Sequence, residues 1–171
     1  FTPDHIVHFM CCVVGINRNS VVLDPCCGSG AFLVRAMTEA LDDCSTKEER
    51  EKVKSHHIFG IEKYKDVFGL ASTNMLIHGD GRSNVRQGDC FLLGKWIKEN
   101  QINTVLMNPP YNATLRDCNP DFADKWRGKK EDPSKGFHFV HYIASQVKKG
   151  KLAVLLPLQC AIGSSKEIAE F

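Results

Sequence analysis

Asn108-Pro109-Pro110-Tyr111 is the segment of this 171-residue chain whose chemistry is easiest to state. Two successive prolines fix φ, remove two N–H donors and push Asn108 out of the helical region. What remains is a stiff loop that presents acceptors, the Asn108 side-chain oxygen and the Pro109 carbonyl. Such a pair suits a planar amino group held so that its lone pair faces an electrophile. Tyr111 adds a π-face on which a planar base or amide can stack. Taken alone, the same four residues are equally an ordinary Pro-Pro turn followed by a core tyrosine.

A second loop, Asp24-Pro25-Cys26-Cys27-Gly28-Ser29-Gly30, reads as the turn between a strand and a helix. In an open α/β sheet ligands bind just past the carboxyl ends of the strands, and glycines there allow close backbone approach. A dinucleotide fingerprint needs glycine or alanine where Leu33 stands, and a phosphate loop needs GK[ST], which is missing. Acidic residues close the next two strands. Glu62 can accept both hydroxyls of a ribose, and Asp89 can accept from an adenine amino group. One such acid is more often a solvated turn residue; ligand-type groups at three successive strand ends are harder to dismiss.

The elements that must carry these groups alternate between short β-rich runs and helical stretches. Strands are expected at Val21–Asp24, Ile58–Glu62, Asn84–Asp89, Ile102–Met107 and Lys151–Leu156, the first, fourth and fifth stopped by prolines. Helices are expected at Gly30–Leu41, with Phe32, Leu33, Ala36, Met37 and Ala40 at helical spacing, and at Lys65–His78. A further helix spans Phe137–Lys148, with Phe137, Val140, His141, Ala144 and Val147 along one side. Ser164 or Ser165 can cap a last helix. Asp42–Ser55 reads as a charged helix end or loop. Asn112–Gly136 holds six basic and five acidic residues, which suits a mobile substrate-side loop better than a phosphate patch.

Composition bounds these readings. The chain fits one domain, 1–171, with a sizeable core, and starts without methionine, as a piece of something longer would. A net charge of +2 argues neither for nor against nucleic acid. No apolar run approaches the ~18 residues of a membrane span, and no signal peptide opens the chain, so a cytoplasmic protein without membrane contact is expected. The eight cysteines include no CxxC pair; they read as small core residues, with no metal site.

The motifs DPCCGSG, GIEKY, QGDC and NPPY, in this order and at these strand ends, resemble the class I S-adenosylmethionine-dependent methyltransferases that modify amino groups. Phe1-Thr2-Pro3 looks like the FTP segment of bacterial DNA adenine methyltransferases, including the modification subunits of type I restriction systems and related type II enzymes. GFHFVHYIASQVKKGKLAVLLPL is also similar to theirs, so the likeness runs from Phe1 to about Pro157. It implies a Rossmann-like, mostly parallel sheet with helices on both faces, truncated after its fifth strand. Thr2 and Pro3 would lie against the methionine end of S-adenosylmethionine, with Asp24, Cys27, Gly28 and Gly30 beneath it. Glu62 would bind the ribose, and Asp89 with Cys90 would meet the adenine, the product being S-adenosylhomocysteine. Asn108 and Pro109 would hold the target amine in the Pro110-stiffened loop, and Tyr111 would stack on the base.

The implied reaction is methylation of adenine in DNA after the base is flipped out of the duplex. Specificity and restriction subunits are the implied partners, and a target-recognition domain is expected downstream of Phe171. Methylation of ribosomal RNA or of a release-factor glutamine shares NPPY and stays open as an alternative. Cytosine C5 methylation needs a nucleophilic cysteine, and the one Pro-Cys pair, Pro25-Cys26, is in the cofactor loop. A binding module that has lost turnover is disfavoured by the intact Asp24, Gly28, Gly30, Glu62 and Asn108.

Overall fold

In a computed structural model, described over residues 2–79, 84–114, 116 and 135–160, the chain forms one parallel sheet flanked by helices. The strands are β1 (Val22–Asp24), β2 (Ile58–Glu62), β3 (Val85–Gln87), β4 (Thr104–Met107) and β5 (Lys151–Val154). They lie in the order β3-β2-β1-β4-β5, with all neighbours parallel. The order reverses beside β1, so the loops after β1 and β4 diverge and leave a crevice at the strand carboxyl ends.

Alternation along the strands divides the core in two. Val22, Ile58 and Leu106 face one cluster, completed by α1 (Asp4–Val14), α2 (Ala31–Asp42), α3 (Lys47–His56) and α4 (Lys65–Ile77). Leu23, Phe59, Ile61, Val105 and Met107 face the other, completed by α5 (Gly94–Glu99) and α6 (Phe137–Gln146). β1 is buried on both faces, the environment that selects an unbroken apolar run. On α2 the expected stripe Phe32, Leu33, Ala36, Met37 and Ala40 is buried throughout.

The architecture is the expected one, and the differences are local. A helix not anticipated, α1, buries Val7, Met10, Cys11 and Val14 at helical spacing and ends at Gly15 in the left-handed region. The expected charged helix end or loop at Asp42–Ser55 holds all but the last residue of α3, started by a capping box in which Thr46 and Glu49 satisfy each other's backbone N–H. Val53 is the residue α3 buries. β3 is shorter than Asn84–Asp89, because Gly88 and Asp89 already belong to the turn. On α6 the buried stripe is His138, Phe139, Tyr142 and Ile143, beside the side read from sequence. Most of Asn112–Gly136, and the helix expected after Ser164 or Ser165, fall outside the described residues. Among the described residues β5 pairs with β4 alone and stands at the sheet edge, and no helix is long and apolar enough to cross a membrane.

Candidate functional site

The ends of β1, β2, β3 and β4 open into one cavity of about 560 Å3, within the range of small-molecule sites. Pro25, Cys26, Glu62, Lys63, Tyr64, Asp89 and Cys90 line one side. Asn108, Pro110, Asn112, Ala113, His138 and Phe139 line the other. Two of the carboxylates and the asparagine picked out by sequence therefore share one space.

The glycine loop is folded around the carboxylates. Gly28 (φ 54°) and Gly30 (φ 87°) both occupy the left-handed region, which admits glycine without strain, and Gly30 starts α2. The Gly28 N–H donates to one oxygen of Glu62 at 3.0 Å and the Tyr64 N–H to the other at 2.8 Å. Glu62 is buried yet satisfied, and a carboxylate offers about four lone-pair sites, so accepting capacity is left for the cavity. Asp24 lies beneath the loop, 1% exposed, and accepts the Cys26 N–H at 3.0 Å. Burial pushes its pKa up to about 8; the Cys26 hydrogen bond opposes this and the negative Glu62 adds to it. Burial also raises the thiols of Cys26 and Cys27, so neither is a thiolate nucleophile at neutral pH.

Asp89 repeats the pattern one strand further out. Its Oδ1 accepts the Phe91 N–H at 3.0 Å and its Oδ2 pairs with Lys63 Nζ at 3.1 Å. Cys90 beside it is buried and lines the cavity.

The Asn108 loop is held from farther away. Asn108 Nδ2 donates to Thr2 Oγ1 at 2.9 Å, and the Tyr111 hydroxyl donates to Asn108 Oδ1 at 2.7 Å. The same hydroxyl lies 3.3 Å from the Leu155 carbonyl. Gly136 (φ 96°) lets the start of α6 press on the loop, since a Cβ there would stand 2.7 Å from Pro109 Cγ.

Of the residues selected by sequence, Glu62, Asp89, Cys90, Asn108 and Pro110 line the cavity. Asp24, Cys27, Gly28, Gly30 and the buried Pro109 belong to the loops that frame it. Thr2, Pro3 and Tyr111 do not line it; Thr2 and Tyr111 reach Asn108 instead. Sequence reasoning missed Lys63, Tyr64, His138 and Phe139. Tyr64 was within reach, since it follows Glu62 by two residues and is 69% exposed at the mouth. His138 was not: it is fully buried, its ring stacked on Phe91 at 5.7 Å, and in sequence it is one polar residue in a helix.

Away from the cavity, His8, Cys12 and Glu39 bring three ligand atoms within 4.8 Å of one another across α1 and α2. Arg35 Nε already holds the Glu39 carboxylate at 2.8 Å, and His8 and Cys12 are exposed, so we assign this group no metal.

A family model described as N-6 DNA Methylase matches residues 1–169. The chain belongs to the N-6 DNA methylase family. This N-6 DNA methylase chain is 33% identical over 167 residues to the type II restriction enzyme and methyltransferase RM.BcgI of Heyndrickxia coagulans, covering 96% of the chain and 24% of that relative. It is 27% identical over 161 residues to the type I restriction enzyme EcoEI methylase subunit of Escherichia coli, covering 92% and 32%. The modification subunit of a candidate type I restriction enzyme from Vibrio vulnificus YJ016 superposes with a TM-score of 0.77 at 26% identity, covering 99% of the chain and 37% of that one. The EcoKI M protein, at 22% identity and a TM-score of 0.72, shares the fold. The chain thus spans between 24% and 32% of the length of these two curated relatives.

Proposed function

We propose that this chain is the cofactor-binding and catalytic core of an enzyme that methylates the exocyclic amino group of adenine in DNA, within a restriction-modification system. The observation that carries the reading is the shared cavity: Glu62 and Asp89 end β2 and β3 on one side, and Asn108 ends β4 on the other. S-adenosylmethionine, when bound, supplies an electrophilic methyl on a sulfonium.

The residues fit such a nucleoside. Glu62 keeps accepting capacity for ribose hydroxyls while two backbone N–H groups hold its carboxylate in place. Asp89 is a strand-end acceptor for an adenine amino group, and the exposed ring of Tyr64 adds a flat surface at the mouth. Pro3, Asp24, Cys27, Gly28, Gly30 and Cys90 complete the proposed cofactor set. Across the cavity, Asn108 Oδ1 and the Pro109 carbonyl accept the two N–H bonds of the target amine. An exocyclic amine on a heteroaromatic ring is a poor nucleophile because its lone pair is delocalised. Two fixed acceptors favour the pyramidal form and spread the charge that develops on nitrogen. Holding both partners in one cavity accounts for much of the rest. Pro110 stiffens the loop; Phe139 lines the cavity, and Tyr111, held by its hydroxyl outside that lining, is the ring proposed to stack on the base. A base inside duplex DNA cannot enter such a cavity, so the adenine is flipped out.

The relatives are named as a type II restriction enzyme and methyltransferase and as the methylase subunit of a type I restriction enzyme, which supports DNA as the substrate; specificity and restriction subunits are the partners we propose. We place target recognition in a domain outside residues 1–171. The test is transfer of labelled methyl by the full-length protein to unmethylated genomic DNA, ribosomal RNA and a release factor. Labelled N6-methyladenine in DNA is expected. Transfer confined to RNA or to the release factor would overturn the DNA assignment, and loss of transfer in none of the Asn108 variants would overturn the site.

A further inference from the structure

We infer that Thr2 is a positioning residue for Asn108, pinning one end of its side-chain amide beside the cavity; this rests on the function proposed above. An asparagine amide carries a donor and an acceptor at nearly equal reach, and a half-turn about χ2 exchanges them. With oxygen toward the target amine, Asn108 accepts an N–H. With nitrogen there, two donors meet and the amine loses its partner. The chemistry therefore needs an amide that is held still.

Two hydroxyls bracket the amide. Thr2 Oγ1 receives the Nδ2–H at 2.9 Å, and the Tyr111 hydroxyl donates to Oδ1 at 2.7 Å, closer than its 3.3 Å approach to the Leu155 carbonyl. If the Thr2 hydroxyl is removed, Tyr111 alone holds the amide. Each hydroxyl can donate or accept, so it is the hold at both ends, not the polarity of either hydroxyl, that keeps the amide from turning about χ2. Thr2 does not line the cavity, so its influence passes through Asn108.

The position of Thr2 is itself built. The Pro3 carbonyl accepts from the N–H groups of Ile6 and Val7 at 3.0 and 3.1 Å, which fixes the backbone next to Thr2 as the first turn of α1. Val7, Met10, Cys11 and Val14 bury the helix against α2 and the sheet. At its far end Lys151 Nζ donates to the Val14 carbonyl at 2.7 Å and ties α1 to β5. A helix anchored at both ends thus delivers one hydroxyl to a loop 106 residues further along the sequence.

The competing role for Thr2, a direct contact to the methionine end of the cofactor, predicts different kinetics. In the full-length protein, Thr2→Val, Thr2→Cys and Thr2→Ser are compared with Asn108→Ala by single-turnover transfer to unmethylated DNA at saturating cofactor. Cofactor Kd is measured by calorimetry and folding by thermal midpoint. Thr2→Val and Thr2→Cys, which lack a good acceptor, should each slow transfer about tenfold, the worth of one hydrogen bond. Cofactor Kd should move less than about twofold, and Thr2→Ser should restore the rate to within about twofold. In the cofactor-free protein, the Asn108 Nδ2 protons, seen by NMR of labelled asparagine, should exchange faster in Thr2→Val than in the unsubstituted protein. A raised Kd with an unchanged saturated rate overturns the inference in favour of a cofactor contact, and an unchanged rate and Kd overturn it outright. Should Asn108→Ala itself leave transfer intact, the function proposed above fails, whereas an inactive Asn108→Ala beside a fully active Thr2→Val sinks the Thr2 role alone.

Discussion

The two sides of the cavity are assembled by opposite means. On the carboxylate side, Asp24, Glu62 and Asp89 each accept a backbone N–H from the residue two positions on, Cys26, Tyr64 and Phe91. Each acid is thus oriented by the turn that ends its own strand, the local device by which short acidic side chains shape turns. On the asparagine side, Tyr111 is a local partner of Asn108, but the other partner, Thr2, is 106 residues away, and the carbonyl beside the Tyr111 hydroxyl is 44 residues away. Apart from the Gly28 N–H that Glu62 accepts across 34 residues, the carboxylate side accordingly needs little more than correctly ended strands, whereas the asparagine side needs the whole sheet and α1 in place.

That contrast can be broken or sharpened by substitution. The largest effect is expected from Asn108→Ala, which should slow saturated transfer by about 1,000-fold, as losing a preorganised acceptor does, with cofactor Kd nearly unchanged. A comparable loss in cofactor binding, read by calorimetry, would mean that the two sides are one unit. Glu62→Ala should do the reverse, raising cofactor Kd about 30-fold through the lost charged acceptor while the saturated rate changes less.

A smaller effect concerns stability. Asp24 has its folded pKa raised to about 8 from an ordinary 3.8, so the folded state keeps a proton that the unfolded chain releases. Its contribution is complete below the unfolded value and drains away as pH climbs through the folded one. Between about pH 6 and about pH 9 the thermal midpoint should fall, and Asp24→Asn should remove that part of the fall, about 3 °C or more. A midpoint with the same pH dependence in both proteins would place the Asp24 carboxyl in a wetter site than its 1% exposure indicates. The smallest effect is expected from Lys63→Gln. The Lys63–Asp89 pair is half open to water on the lysine side, with Lys63 49% exposed, so cofactor Kd should move only about two- to threefold, and less at high salt.

The same contrast explains what was legible beforehand. Strand ends carry their own marks: Asp24 stands before Pro25 and Asn108 before Pro109, and proline, which cannot donate to the ladder, ends a central strand. The residues framing the cavity could therefore be named without knowing how the strands pair. The capping box at Thr46 and Glu49 was equally local, and only the density of charge around it argued for a loop. On α6 the chain was ambiguous in principle. Phe137, Val140, His141 and Ala144 lie at helical spacing, and so do His138, Phe139, Tyr142 and Ile143. Only packing against Phe91 and the sheet selects the second stripe and brings His138 and Phe139 to the cavity.

The amino-acid sequence by itself determined where β1, β2 and β4 end and where the glycine turn lies, because each depends on residues within a few positions of one another. Tertiary structure decided which ring faces the cavity, which hydroxyl holds the Asn108 amide, and that Thr2 reaches Asn108 at all. Those are distances between segments that covalent geometry leaves free, and only the packing of α1 and α6 against a completed sheet sets them.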